Sequence, residues 1–400
     1  MRFSCPGRHL ALFRPVDWPL TPVDRLQVFR PPFCPRRRCA DHHAASPPRF
    51  LRHGSYLTRR GFRVQRFLCR RCHKTFSRRA FSVAYYLKRP ELLQPVAAGL
   101  QAGSAHRQLA RTLGCAPSTV TRLSARLGRH AILLLHLALE SHQGKLDEPV
   151  VIDHFETFEL TQDLPFGVAL PVGARSWFIY GLEAAPHART GRRTEAQERR
   201  RRRRPPRSAR GGYSGSITRM LDRLLPLVPS GRILHLRGDG HPAYQWSVRK
   251  HSASGRMHLE CHPNPPRGPK GSPRSKRAVA RDRAMFPVDS LHGLLRHSLA
   301  AHRRETIAFG RRLNALAERL FLAIIWRNFV KKISERRSDP TTPAMIVGVA
   351  DKPWSWSRVL ARRIFPWRTP VGGSWEEIYR RDWGTAALPA NTRHRAVFSY

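Results

Sequence analysis

The sequence predicts an α/β protein in which two small modules precede a larger domain of strands and helices. Three observations predict it. Two cysteine pairs lie near the N-terminus, a helical stretch follows over 91–140, and from Val150 short β-rich runs begin that later give way to long helices. At 400 residues the chain is long enough for two or three domains. It carries 73 Lys and Arg against 27 Asp and Glu, a formal net charge of +46. That balance excludes an ordinary metabolic enzyme with an even surface and points to a polyanion as partner, nucleic acid first. Arginine far outnumbers lysine, as GC-rich coding would produce, so part of the charge counts as solvated surface. With 41% apolar residues and 9% aromatics, the chain is nonetheless no disordered polycation.

The opening Met1-Arg2-Phe3-Ser4-Cys5-Pro6 lacks an apolar core of signal-peptide length. The longest apolar stretch, Ala131 to Leu139, is broken by His136 and is far shorter than the ~20 residues that span a bilayer. Seven cysteines, four of them paired, suggest metal in a reducing compartment rather than a disulfide scaffold, so the expectation is a cytoplasmic protein with no membrane partner. Residues 1–33, rich in Pro and Arg, read as a flexible extension.

Residues 34–90 read as a zinc ribbon. Cys34-Pro-Arg-Arg-Arg-Cys39 is followed by Cys69-Arg-Arg-Cys72, and two such hairpins can bring four thiolates to one tetrahedral zinc. The first spacing is wider than the usual two residues, which leaves His42, His43 or His73 as substitute ligands. Between the pairs, Phe62-Arg-Val-Gln-Arg-Phe67 alternates as a strand with one basic face would, and Phe76 and Phe81 offer a small apolar cover. A module this small needs its metal to fold.

Residues 91–140 read as a helix-turn-helix. Ser104 is placed to cap a helix with apolar positions Leu109, Ala110 and Leu113; Gly114 permits a turn, and Pro117 opens the next helix. Val120 and Leu123 face inward, leaving Ser118, Thr119, Thr121 and Arg122 free to read a DNA groove. Cys115 in the turn reads as a small buried residue.

In the strand block, Val150-Val-Ile-Asp153 delivers a carboxylate at the end of a short apolar strand, and Trp177-Phe-Ile-Tyr180 reads as another β-rich run. Arg232-Ile-Leu-His-Leu-Arg-Gly-Asp239-Gly-His-Pro-Ala-Tyr244 repeats the device with Asp239 in a Gly-flanked turn, where Arg237 and His241 are candidates for phosphate contact. Two carboxylates on adjacent strands suit Mg²⁺ or Mn²⁺ and phosphodiester chemistry. Two inserts, near 190–212 with the run Arg199 to Arg204 and near 263–283, read as loops, because like charges repel and Pro and Gly break regular structure.

Taken in order, these motifs resemble the DDE transposases of bacterial insertion sequences, within them the insertion-sequence-one-like branch. The resemblance covers about 34–335 and includes Thr306-Ile-Ala-Phe-Gly-Arg-Arg-Leu-Asn314 and Trp326-Arg-Asn-Phe-Val-Lys331, similar to that family's Phe-Ser-Lys-x-Leu-Glu helix and aromatic-x-Asn-Phe end. It implies an RNase H-like catalytic core over 148–335, with Asp153 and Asp239 as magnesium ligands and a third ligand on the last helix. The family's glutamate falls on Asn314, which can ligate through its carbonyl but brings no charge. Glu318, one turn on, and Glu305 are the alternatives. The resemblance further implies double-stranded DNA as partner, a homodimer or higher oligomer on it, and cleavage and transfer of element ends. Two other readings stand beside it: a non-catalytic DNA-binding protein or decayed transposase, for which Asn314 speaks, and a nucleic-acid packaging protein, for which charge alone speaks. Residues 336–400 form a tail with no assignable motif.

Overall fold

The computed structural model describes residues 29–44, 47–58, 61–187, 194–202, 212–266, 268–269, 272–304, 306–336 and 338–383. They divide into two units: the residues up to Leu87 together with Trp354–Arg368, and Lys88–Pro353 together with the residues from Thr369.

In the first unit, β1 (Phe50–Leu57), β2 (Arg63–Cys69) and β3 (Thr75–Ser77) form an antiparallel sheet in that order. Strand β2 buries Phe67 and Cys69 on one face and Val64 on the other, so the strict alternation expected of it is broken, while seven of the eight β1 residues are exposed. Phe33, Ala80, Phe81 and Phe365 make the apolar core, with Phe29, Phe76 and Tyr85 packed on it. This corrects two sequence expectations. Phe29 and Phe33, assigned to a flexible extension, are packed; 1–28 lie outside the described residues. The tail, assigned no role, returns Phe365 to this core and Arg363 to its backbone, where the Arg363 N–H donates to the Phe81 carbonyl at 2.9 Å.

The second unit begins with α1 (Leu93–Gln101), α2 (His106–Thr112) and α3 (Pro117–Ser141). Gly114 takes φ +54° in the turn before α3. The cap of α2 is not Ser104. Ala105 is the boundary residue, and the Gln108 side chain accepts from the Ala105 N–H at 2.8 Å. Helix α3 exceeds a simple reading helix: beyond Arg122, every residue from Leu123 to Leu135 is buried. Its rear packs on α8 (Leu313–Ile325) so closely that a Cβ at Gly128 would lie 2.5 Å from Glu318. The helix-turn-helix therefore shares one unit with the strand block instead of forming a separate domain at 91–140.

The main sheet runs β6-β5-β4-β7-β8. Strands β4 (Val150–Phe158), β5 (Pro165–Gly173) and β6 (Glu183–Pro186) form an antiparallel meander, and β7 (Leu234–Gly238) and β8 (Met257–Cys261) extend it parallel to β4. Parallel neighbours need crossovers. α4 (Glu195–Arg202) and α5 (Gly212–Leu224) lie between β6 and β7 in sequence, and α6 (Pro242–Lys250) lies between β7 and β8. Helix α7 (Lys276–Ser298) follows and packs on β4, β5 and β7. A π-turn, Trp326–Val330, continues α8; α9 (Pro343–Ile346) and α10 (Trp356–Val359) are single turns, and α11 (Gly373–Arg380) packs on α8.

Three local expectations differ. Strand β4 continues past Asp153 to Phe158, and Trp177–Tyr180 contributes only an isolated bridge, Ile179 to Val172. Each supposed loop contains helix: in α4, Glu195 and Glu198 reach Arg199 and Arg202 at 3.6 and 3.8 Å, offsetting the run of like charge. In the second, Ser275 caps α7 by accepting from the Ala278 N–H, so the insert ends before Lys276.

Candidate functional site

The Sγ atoms of Cys34, Cys39, Cys69 and Cys72 all lie within 4.8 Å of one another, close enough to hold a metal such as zinc. The loop 34–39, the end of β2 and the turn after it supply them, with Cys34 to Cys72 at 3.9 Å and Cys39 to Cys69 at 3.7 Å. Three are buried and Cys72 is half-buried. Burial raises the Cys34 thiol and pushes Cys69 up to about 11, so thiols would release protons to a metal. The donor set is complete without histidine. His42 instead donates from Nδ1 to the Cys34 carbonyl at 2.7 Å, bracing the first hairpin from outside, while His43 and His73 are exposed.

On α3, Ser118, Thr121 and Arg122 are exposed and Thr119 is half-buried, whereas Val120 and Leu123 are buried, as the spacing predicts. The Thr121 hydroxyl is partly engaged: it donates to the Pro117 carbonyl at 3.0 Å and lies 3.1 Å from His106 Nδ1.

The ladder between β4 and β7 ends with Ile152 opposite Gly238. Asp153 and Asp239 each follow that rung by one residue, so two adjacent strands deliver carboxylates side by side. The Asp239 Oδ1 accepts from the His241 N–H at 3.0 Å, which fixes the turn after β7. On β4 alternate residues face opposite sides. Phe155 meets His292 of α7, while His154 hydrogen-bonds Tyr244 of α6 at 2.8 Å and Ser216 of α5 at 2.9 Å. Tyr244 also donates to Asp153 Oδ1 at 3.3 Å, linking this buried row to the carboxylate.

Asp153 is pushed up to about 7, first by burial, then by the negative charge of Asp239, with Asp289 adding to it. Asp289, on α7, is thus the third acid of the group, and sequence reading missed it. His292, one turn further, has Nδ1 3.8 Å from Asp153 Oδ2, and burial lowers its imidazole to about 4. Asp289 is held by Arg281, and the oxygens of the three aspartates do not all lie within 4.8 Å of one another; among the described residues that spacing occurs for the cysteines alone.

Neither residue expected as third ligand joins them. Asn314 is buried and donates through Nδ2 to the Trp383 carbonyl at 2.9 Å. Glu318 is buried and accepts from Arg381 Nε and Nη2 at 2.9 and 2.7 Å. Both sit on α8, which packs on α3, whereas α7 follows β8 and covers β4. Glu305 lies outside the described residues. Arg237 and His241 are also committed: the first pairs with Glu260 at 3.1 Å, and the second accepts from the Ala243 N–H at the start of α6. Asn328 of the Asn-Phe motif accepts from the Ile179 N–H and donates to the Ile179 carbonyl, both at 2.9 Å.

No helix among the described residues is long and apolar enough to cross a membrane. Comparison of the chain with protein-family models finds no match, and comparison with curated proteins finds none.

Proposed function

We propose that this chain is a transposase that binds the ends of a DNA element and catalyses metal-dependent strand cleavage and strand transfer. The observation that carries the reading is the meeting of Asp153 and Asp239 just past the end of the parallel ladder between β4 and β7, with the charge of Asp289 on the following helix acting on Asp153. A carboxylate held near pH 7 by burial and then by its neighbouring acids suits a site that takes divalent cations. The mixed sheet supports an RNase H-like core. The exposed first turns of α3 and the charge of +46 support double-stranded DNA as partner.

Hard oxygen donors fit Mg²⁺ or Mn²⁺, held by Asp153, Asp239 and Asp289, and such ions would activate water and stabilise the leaving oxygen. The protein's own part is positioning. Tyr244 steadies Asp153 by hydrogen bond and the Asx turn steadies Asp239, while Asp289, paired with Arg281, would have to leave that pair to hold a cation. DNA carrying the element's own flanking sequence, incubated with Mg²⁺ or Mn²⁺, should be nicked by wild type and by Asn314→Ala, and by neither Asp239→Ala nor Asp289→Ala. Nicking that survives both aspartate changes refutes the assignment.

A second reading, a non-catalytic DNA-binding protein retaining the fold, is favoured by the ion pair of Asp289 with Arg281. Sequence-selective binding without nicking under either metal would select it.

A further inference from the structure

Arg327 is a buried guanidinium with few partners. It is 6% exposed, its Nη1 has no hydrogen-bond partner, and its guanidinium carbon lies 5.7 Å over the Trp177 ring. The carboxylate whose charge acts on it is Glu335, which is exposed and already paired with Lys331 and, at 3.7 Å, with Lys332. An uncompensated buried cation is costly, so a protein that retains one has an anion to meet it.

The surroundings describe that anion. Arg327 lines a small recess of about 10 Å³, room for one water or one oxygen, partly open to solvent, whose wall includes Ser290 of α7 and Trp177 among the apolar Val172, Leu291 and Leu294. Trp177 holds φ +59°, a left-handed conformation that strains a bulky residue, and its ring meets the half-exposed Phe286 at 5.6 Å. The recess is rigid. Arg327 sits on the π-turn, and its neighbour Asn328 clamps both backbone groups of Ile179, two residues past Trp177. It also flanks the carboxylate group: Ser290 is the residue after Asp289, about 100° around the same helix.

We infer that this recess is a phosphate subsite, in which Arg327 and Ser290 receive one oxygen of a nucleic-acid phosphodiester while Trp177 and Phe286 lie against the adjoining sugar or base. The source as DNA rests on the transposase reading; the anion site does not. A guanidinium and a hydroxyl are donors suited to a phosphate oxygen, and an apolar aromatic rim is suited to its carrier. At about 10 Å³ the recess itself admits an oxygen and no base.

The test uses the full chain in the Asp239→Ala background, so that no cleavage is needed, with Arg327→Met and Arg327→Lys added separately. Thermal unfolding is followed with and without inorganic phosphate, and the affinity for single-stranded and duplex oligonucleotides of arbitrary sequence is followed against salt. Phosphate should raise the melting temperature of the parent and not of Arg327→Met, whose own melting temperature should equal or exceed the parent's. Oligonucleotide affinity should fall about tenfold at low salt, and the salt slope should shrink by about 0.7 to 0.9, one phosphate contact. Arg327→Lys should keep part of both effects. A phosphate shift and a salt slope untouched by Arg327→Met overturn the inference. A lost phosphate shift with an unchanged slope for both oligonucleotides overturns the nucleic-acid source and leaves the free anion as ligand. Loss of both effects, together with no nicking by the wild-type chain under Mg²⁺ or Mn²⁺, keeps the subsite and rejects the enzyme.

Discussion

Replacing Asp153 by asparagine should stabilise the metal-free protein at pH 8. The carboxyl moves from an ordinary 3.8 to about 7 on folding, because burial and two like charges oppose its ionisation. A raised acid adds stability below its unfolded value and loses it as pH climbs through the folded one, so stability should fall between about pH 4 and 7. Three units at roughly 1.4 kcal/mol each set a ceiling of about 4 kcal/mol. The side chain is 20% exposed, and solvent screening brings the expected effect to about 2 kcal/mol. Urea unfolding in EDTA at pH 5 and pH 8 measures it, with unfolding of the first unit followed separately. Wild type should lose stability relative to Asp153→Asn between the two pH values, and millimolar Mg²⁺ should restore wild type alone. An Asp153→Asn protein equally destabilised at both pH values would refute the argument, since the carboxylate would then be a net contributor.

Chelation of metal should unfold the first unit, with its near-ultraviolet signal lost and restored on adding zinc, and each zinc bound near neutral pH should release protons, measurable as a buffer-dependent heat. Gly128→Ala should cost about 1–3 kcal/mol by thermal or urea unfolding, because α3 and α8 must move apart to admit the methyl group. Arg122→Ala should weaken DNA binding and reduce the salt slope by about 0.9 if it meets a phosphate, whereas relaxed sequence preference with an unchanged slope would place it on a base edge.

What could be read from sequence was local. Cysteine spacing gave the thiol cluster, the pattern Leu109–Gly114–Pro117–Leu123 gave the helix pair, and the two apolar runs before Asp153 and Asp239 gave adjacent strands. The third acid was hidden because α7 begins inside a Pro-, Gly- and Arg-rich segment and carries Pro287 in its interior, both signals that argue against a helix. Asn314 and Glu318 share a helix face with the right spacing, but spacing does not say which face of the sheet a helix covers. Their burial against Trp383 and Arg381 depends on partners some 60 residues away, beyond any local pattern. The same holds for Phe365 and for the clamp of Asn328 on Ile179.

The place of Phe365 in the core of the first unit bears on how the protein is made. Phe33 and Phe81 meet each other, but the ring that packs against both, 4.9 and 5.6 Å away, is translated hundreds of residues after them. At roughly 5–20 residues per second that delay is on the order of 15–60 s. During it the cysteine cluster has strands but an incomplete apolar floor. A chain terminated before Phe365 would therefore carry the four cysteines without the finished core of that unit, and translation must pass Phe365 before the unit can close.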